Sequence, residues 1–188
     1  MELILVRHGE SEDNVSKRFS SDNTILTGNG VEQIKKTREL LKDYEFSKVF
    51  FSPLARTRQT LQILGLSGIE NNTIREMDFG IFTGYTFEEF SKKYPEESQM
   101  WVDDPFNYNI PNGENIIQTY TRVVRFMDSI KDSKENILAV THEGIIRLIC
   151  SYVMDDPNYF FKFRAGNGSI TVVNLDDRYK YIKQLNYR

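Results

Sequence analysis

Arg7, His8, Gly9, Glu10 and Ser11 follow directly on a short apolar run at residues 2–6. That run, nearly continuous in Leu, Ile and Val, reads as a buried parallel strand. In open α/β sheets ligands bind outside the carboxyl ends of such strands, so an arginine, a histidine and a turn-forming glycine stand where chemistry is done. The chain has two histidines, and His142 stands in nearly the same setting: residues 136–140 read as another buried strand, followed by Thr141, His142, Glu143 and Gly144. A packed histidine beside a solvated arginine would account for one such junction. Two of the same kind are more economically explained by a shared site, because parallel neighbours bring both strand ends, and both imidazoles, to one edge of the sheet.

A third junction adds cations. Residues 48–51 read as a short strand, and Ser52 as N-cap with Pro53 at the first helical position marks a helix start. Arg56 and Arg58 then fall in the first turns, where the helix dipole disfavours a cation unless an anion shares the site; the sequence does not choose between the two arginines. Arginine forks donating paired hydrogen bonds fit a tetrahedral anion, and phosphate is its natural form. Phosphoryl transfer asks mainly for positioning and charge stabilisation, a neutral imidazole can be the nucleophile, and a carboxylic acid must protonate the leaving alkoxide. The residues alone leave that acid open among Glu10, Glu76, Asp78 and Glu143.

The elements that must hold these groups are legible in outline. Residues 8–26 form a long polar stretch, read as a functional loop with Asn14 as the nearest neutral donor. Thr27 is a plausible N-cap for a helix over 30–42, with Val31, Ile34, Leu40 and Leu41 as a partial apolar face. A short strand is expected at 73–75, a short helix at 86–94, and an aromatic, acidic excursion without a core pattern at 95–113. Glu114 opens the clearest amphipathic helix, with Ile117, Tyr120, Val124, Met127 and Ile130 facing the core. A helix follows His142 over 144–153, and two β-rich runs, 169–175 and 179–185, form an edge hairpin around Asp176 and Asp177. The pattern predicts an α/β three-layer sandwich: a largely parallel central sheet, helices on both faces and a C-terminal edge hairpin. One domain is expected over 1–188, with a substrate-covering excursion at about 86–113.

Composition narrows the function. The 188 residues carry a net charge of −3 with Lys and Arg dispersed, which argues against a nucleic-acid surface. No apolar run approaches the roughly 20 residues of a membrane span. A first strand starting at residue 2 is read as leaving no room for a cleaved leader, and the single cysteine, Cys150, as a buried hydrophobe in a reducing compartment. A cytoplasmic location is therefore expected, and a homodimer is compatible with the composition.

The motifs in order carry a resemblance. Leu5, Val6, Arg7, His8, Gly9, Glu10 and Ser11 with Asn14 resemble the signature of the histidine phosphatase superfamily, the phosphoglycerate-mutase-like group. Leu26, Thr27 and Gly30, then Ser52, Leu54, Arg56, Thr57 and Thr60, then Glu76, Asp78, Phe79, Gly80 and Gly84 resemble its later elements. Pro111, Gly113 and Glu114, and finally Thr141, His142 and Gly144, complete the series, which covers nearly the whole chain. The resemblance implies that His8 is the nucleophile and forms a phosphohistidine. It implies that Arg7, Arg56 and His142 bind the phosphoryl oxygens with help from Asn14, and that Glu76 donates and later removes the proton. It also implies that no metal or other cofactor is needed. The reaction so implied is metal-independent hydrolysis of a small-molecule phosphomonoester. A phosphoglycerate-mutase-type transfer is the nearest alternative, and a catalytically silent phospho-ligand binder the alternative from another class.

Two departures stand out: Glu143 where the family has a small residue, and Asn115 where it has serine or threonine. Because a carboxylate inside a phosphate pocket would oppose binding, Glu143 is expected to point away and complement a helix N-terminus. The excursion is expected to form the wall above the phosphate, with Trp101 and Tyr108 stacking on substrate. Its many acidic residues predict a preference for neutral or aromatic leaving groups, unless Lys17 and Arg18 reach over from the first loop.

Overall fold

In the computed structural model, which describes residues 1–176 and 179–188, one six-stranded sheet divides the chain into two helical layers. The strands are β1 (Glu2–Arg7), β2 (Lys48–Phe51), β3 (Ile69–Glu70), β4 (Ile137–Thr141), β5 (Ile170–Leu175) and β6 (Lys180–Tyr187). Their order is β3-β2-β4-β1-β5-β6. The first four run parallel, and β5 and β6 close the edge as an antiparallel pair. Asp177, expected at the hairpin turn, lies outside the described residues.

The alternation of side chains along β1 builds both cores at once. Leu3 and Leu5 join Ile137, Ala139 and Val173 under α6 (Ile116–Ile130) and α7 (Glu143–Val153). Ile4 and Val6 join Leu138, Val140, Ile170 and Val172 under α2 (Gly28–Leu40) and α3 (Ala55–Leu64). Thr27 caps α2 as expected, its hydroxyl accepting from the Gly30 amide at 3.0 Å. No helix among the described residues is long and apolar enough to cross a membrane.

Several local expectations need correction. The polar stretch after His8 contains a short helix, α1 (Glu12–Ser16), whose start is tied by the Ser11 amide donating to Asn14 Oδ1 at 3.1 Å. Residues 73–75 are not a strand; a 3₁₀ turn covers Asn72–Ile74, because Asn71 Oδ1 takes the Thr73 amide at 2.8 Å and turns the chain locally. The buried stripe of α6 is Ile116, Thr119, Val123, Phe126, Met127 and Ile130, so Ile117, Tyr120 and Val124 sit half-buried at its margin. The excursion folds into α4 (Phe87–Lys93) and α5 (Pro95–Asp103) and has a small core of its own, Phe82, Phe90 and Ile110, ringed by Phe19, Tyr85 and Trp101.

Candidate active site

β1 and β4 are parallel neighbours with Arg7 opposite Thr141, so the residues that follow each strand emerge side by side. The His8 amide extends the ladder by donating to the Thr141 carbonyl at 3.0 Å. The two imidazoles lie with ring centroids 5.2 Å apart, edge to face. Both are buried, His8 at 3% and His142 at 0% exposure. Gly9 is needed here for close approach, since a Cβ would fall 2.4 Å from the Gly30 carbonyl oxygen at the start of α2.

His8 is held in one tautomer. Its Nδ1 lies 2.7 Å from the Gly9 carbonyl oxygen, which only accepts, so Nδ1 carries the proton and Nε2 presents a lone pair. Arg56 Nε donates to that Nε2 at 3.3 Å, and Arg56 Nη1 to the Ser21 carbonyl at 2.8 Å. Burial, followed by the Arg56 and Arg7 guanidiniums, holds the His8 pKa well below the ordinary imidazole value. The same forces act on His142, whose Nε2 pairs with Ser52 Oγ at 2.7 Å while its Nδ1 is buried with no hydrogen-bond partner. Ser52 is therefore a histidine partner and not a helix cap: α3 begins at Ala55 with Leu54 at the cap position.

Glu76 approaches from the loop after the 3₁₀ turn. Its Oε1 accepts from the Met77 amide at 3.1 Å and its Oε2 from the Gly144 amide at 3.4 Å. Gly144 makes this approach available, because a Cβ there would meet Glu76 Oε1 at 2.4 Å. Burial raises the Glu76 pKa above the ordinary carboxyl value, against the opposing pull of Arg56, the two amides and Arg7. Behind it, Arg122 holds the loop, donating to the Thr73 and Arg75 carbonyls at 2.9 and 2.8 Å while paired with Glu114 at 2.7 Å.

A cavity of about 300 Å³ opens over this group, at the small end of ligand sites. Arg7, His8, Asn14, Arg56 and Glu76 line one part of it. Asn14 Oδ1 is taken by the Ser11 amide and by Asn167 Nδ2 at 2.9 Å, which turns the Asn14 amide group into a donor for the cavity. Trp101 and Arg18 also line it, although Arg18 is forked onto Glu89 at 2.7 and 3.0 Å and so ties the first loop to the excursion. Lys17 and Tyr108 are not among the lining residues. Lys17 is the exposed left-handed cap of α1, and the Tyr108 hydroxyl is bound to Glu97. Arg58 points outward to Glu70 at 2.7 Å. Of the four candidate acids, Glu10 is engaged by the Thr27 hydroxyl at 2.7 Å and Asp78 by the Gly80 amide at 3.0 Å, leaving Glu76 and Glu143 in the cavity.

Glu143 does not point away. It is the first residue of α7, as its dipole argument requires, yet its Oε2 pairs with Arg7 Nη1 at 2.8 Å and it lines the cavity, because Arg7 offers a stronger partner than solvent. The acidic wall is also overturned: Glu88, Glu89, Glu97 and Asp104 are bound to Lys92, Arg18, Tyr108 and Asn107, and none lines the cavity. Sequence reading took Ser52 for a helix cap and missed Asn167, Arg122 and Arg147, the last of which a helical i, i+4 step from Glu143 would have placed in the site.

A parallel sheet edge holding two buried neutral imidazoles, two inward guanidiniums and one raised carboxyl defines an enzyme built to handle a phosphoryl group. The chain belongs to the histidine phosphatase superfamily (branch 1), whose family model matches residues 3–188. It is 31% identical over 194 residues to phosphoserine phosphatase 1 of Hydrogenobacter thermophilus, covering 99% of this chain and 92% of that protein. It is 32% identical over 158 residues to the fructose-2,6-bisphosphatase of Saccharomyces cerevisiae, covering 82% of this chain and 34% of that protein, so it spans about a third of that relative's length. Among solved structures, the alpha-ribazole phosphatase from Shigella flexneri superposes with a TM-score of 0.91 at 28% identity, covering 99% of this chain and 96% of that one. With named phosphatases throughout this set, the chain is a phosphatase, and a phosphomonoester hydrolase acting through phosphohistidine fits all of them.

Proposed function

We propose that His8 is the nucleophile, that Arg7, Arg56, His142 and Asn14 hold the phosphoryl oxygens, and that Glu76 moves the proton. The observation that carries this reading is the fixed tautomer of His8, whose Nε2 lone pair faces Arg56 at 3.3 Å. Nε2 attacks phosphorus, the ester P–O bond breaks, and Glu76 gives its proton to the departing oxygen, which leaves as an alcohol. The Nδ1–H···O bond to Gly9 stabilises the cation left on the phosphorylated ring. Water then attacks the phosphohistidine, Glu76 takes its proton, the P–N bond breaks, and inorganic phosphate leaves a neutral His8. The unpartnered Nε of Arg7 is a donor suited to the charge that builds on the equatorial oxygens, and so is the Nδ1 of His142 when Ser52 Oγ donates to its Nε2.

The chain works, in this reading, as one domain whose α4–α5 excursion covers the ester, supported by Trp101 in the cavity wall and by the Arg18–Glu89 tie. The substrate is a small phosphate ester, and the buried lone Cys150 suits a cytoplasmic enzyme. Hydrolysis is preferred over mutase-type transfer because Glu76 and the open cavity serve water as well as an alcohol. Retention of a free nucleophile beside an acid disfavours a silent binder. Among the described residues no three His, Cys, Asp or Glu side chains are grouped as a metal site requires. The test is phosphate release from nitrophenyl phosphate with a chelator present and no bisphosphorylated primer added. Steady turnover is expected; turnover that needs the primer, or only a restored divalent metal, contradicts the proposal.

A further inference from the structure

Besides Arg18, which is forked onto Glu89, two charged side chains in the cavity have no part in the proposed reaction. Glu143 and Arg147 stand four residues apart on α7, a spacing that puts both on one face of the helix, and both line the cavity. Arg147 is 9% exposed. Its Nε donates to the Phe160 carbonyl at 2.8 Å and its guanidinium lies 4.0 Å over the Phe160 ring, which fixes the plane of the fork. Its Nη2 is buried with no acceptor. A buried guanidinium with unused donors is costly until an anion meets it. Trp101 Nε1, in the same cavity, is likewise buried with no partner. Neither residue hydrogen-bonds to His8, His142 or Arg56; Arg147 lies over the Phe160 and Phe161 rings, and Trp101 packs on Phe19, Phe82 and Phe87. The residues of the cavity wall thus hold unpaired donors, covered in the empty site, that a second acidic group would satisfy.

Glu143 has the opposite need. In the empty site its carboxylate is neutralised by Arg7. Once a phosphoryl dianion takes Arg7, Glu143 is left beside like charge: of the other cations near it, Arg164 is exposed and 4.0 Å away, too well solvated to compensate, and Arg147 acts on it through space without forming an ion pair. A cation brought by the substrate would restore the balance. The phosphate already accounts for the catalytic arginines, so the second acid and the cation must both belong to the leaving group.

Resting on the phosphatase reading above, we infer that the leaving group is a small hydroxylated α-amino acid, its carboxylate held by Arg147 and Trp101 Nε1 and its ammonium by Glu143. The substrate class is thus an O-phospho-α-amino acid. This reverses the preference for neutral leaving groups expected from the composition of the excursion.

The test compares kcat/KM on four alkyl esters: O-phosphoserine with both charges, phosphoethanolamine with the ammonium alone, 3-phosphoglycerate with the carboxylate alone, and glycerol 3-phosphate with neither. O-Phosphoserine is expected to lead each of the others by at least about tenfold, the scale of one charged hydrogen bond. Arg147→Met should collapse the ratio of O-phosphoserine to phosphoethanolamine, and Glu143→Gln the ratio of O-phosphoserine to 3-phosphoglycerate, each toward one. Arg147→Lys, which keeps the charge but loses the fork and the stack, serves by the same ratio if the methionine variant does not fold. Glycerol 3-phosphate or 3-phosphoglycerate matching O-phosphoserine in the wild type, or ratios unmoved in the variants, would overturn the inference. Absence of turnover even on nitrophenyl phosphate would instead strike the hydrolase reading on which it rests.

Discussion

His8 and Glu76 are shifted in opposite directions by the same burial. Ordinarily a carboxyl loses its proton before an imidazole does, which would leave no pH at which histidine is neutral and glutamic acid protonated in quantity. Here desolvation and two guanidiniums push His8 down, and desolvation pushes Glu76 up, so each moves toward the form the proposed reaction uses. kcat/KM should therefore be bell-shaped in pH. Activity falls on the acid side as His8 gains a proton below its lowered pKa, and on the alkaline side as Glu76 loses one above its raised pKa. Glu76→Gln should abolish the alkaline limb. It should also lower hydrolysis of an alkyl phosphate by about 10²- to 10⁴-fold, while nitrophenyl phosphate, whose leaving group needs little protonation, loses less than about tenfold. Equal losses on both esters would reduce Glu76 to a binding role.

At the scale of elements, the site is an agreement among three strand ends and two helix starts. β1 and β4 deliver the histidines, β2 delivers Ser52, and the start of α3 delivers Arg56. The start of α7 lets Glu76 in through the missing side chain of Gly144. Gly144→Ala should leave the far-ultraviolet circular dichroism unchanged, since alanine suits a helix better than glycine. Its Cβ would displace the Glu76 carboxylate, and kcat/KM on glycerol 3-phosphate should fall by about a hundredfold, the scale of an ångström-sized misplacement. A variant as active as wild type would mean that Glu76 acts from another position. The strand ends were legible because an apolar run stopping at a histidine is a local, one-dimensional signal. Arg56 and Arg58 could not be separated, because both fall in the first turns of α3 and only the helix's phase against the sheet turns one toward His8 and the other toward Glu70. Ser52 followed by Pro53 looks the same in sequence whether the hydroxyl caps a helix or meets a histidine 90 residues away.

The whole molecule is a sheet whose two cores fix β1 from both faces, so that the chemistry at its end stands on rigid ground. Its layers, parallel centre and edge hairpin follow from alternating β and α patterns and were readable. The excursion was not: Phe82, Phe90 and Ile110 come from three separate pieces of chain, with no common period to reveal that they close a core. For the same reason its acidic residues were taken to face the substrate, when pairing with Lys92, Arg18, Tyr108 and Asn107 holds them elsewhere. Trp101 reaches the cavity from this unit and Arg147 from α7, so the proposed leaving-group wall exists only in the assembled fold. The claim on which the rest depends is the covalent one at His8. Wild type quenched during turnover should yield an acid-labile, alkali-stable phosphate on the peptide that contains His8, and His8→Ala should yield none. A label on His142, or a His8→Ala variant keeping more than about a hundredth of wild-type kcat, within reach of acid–base catalysis alone, would contradict it.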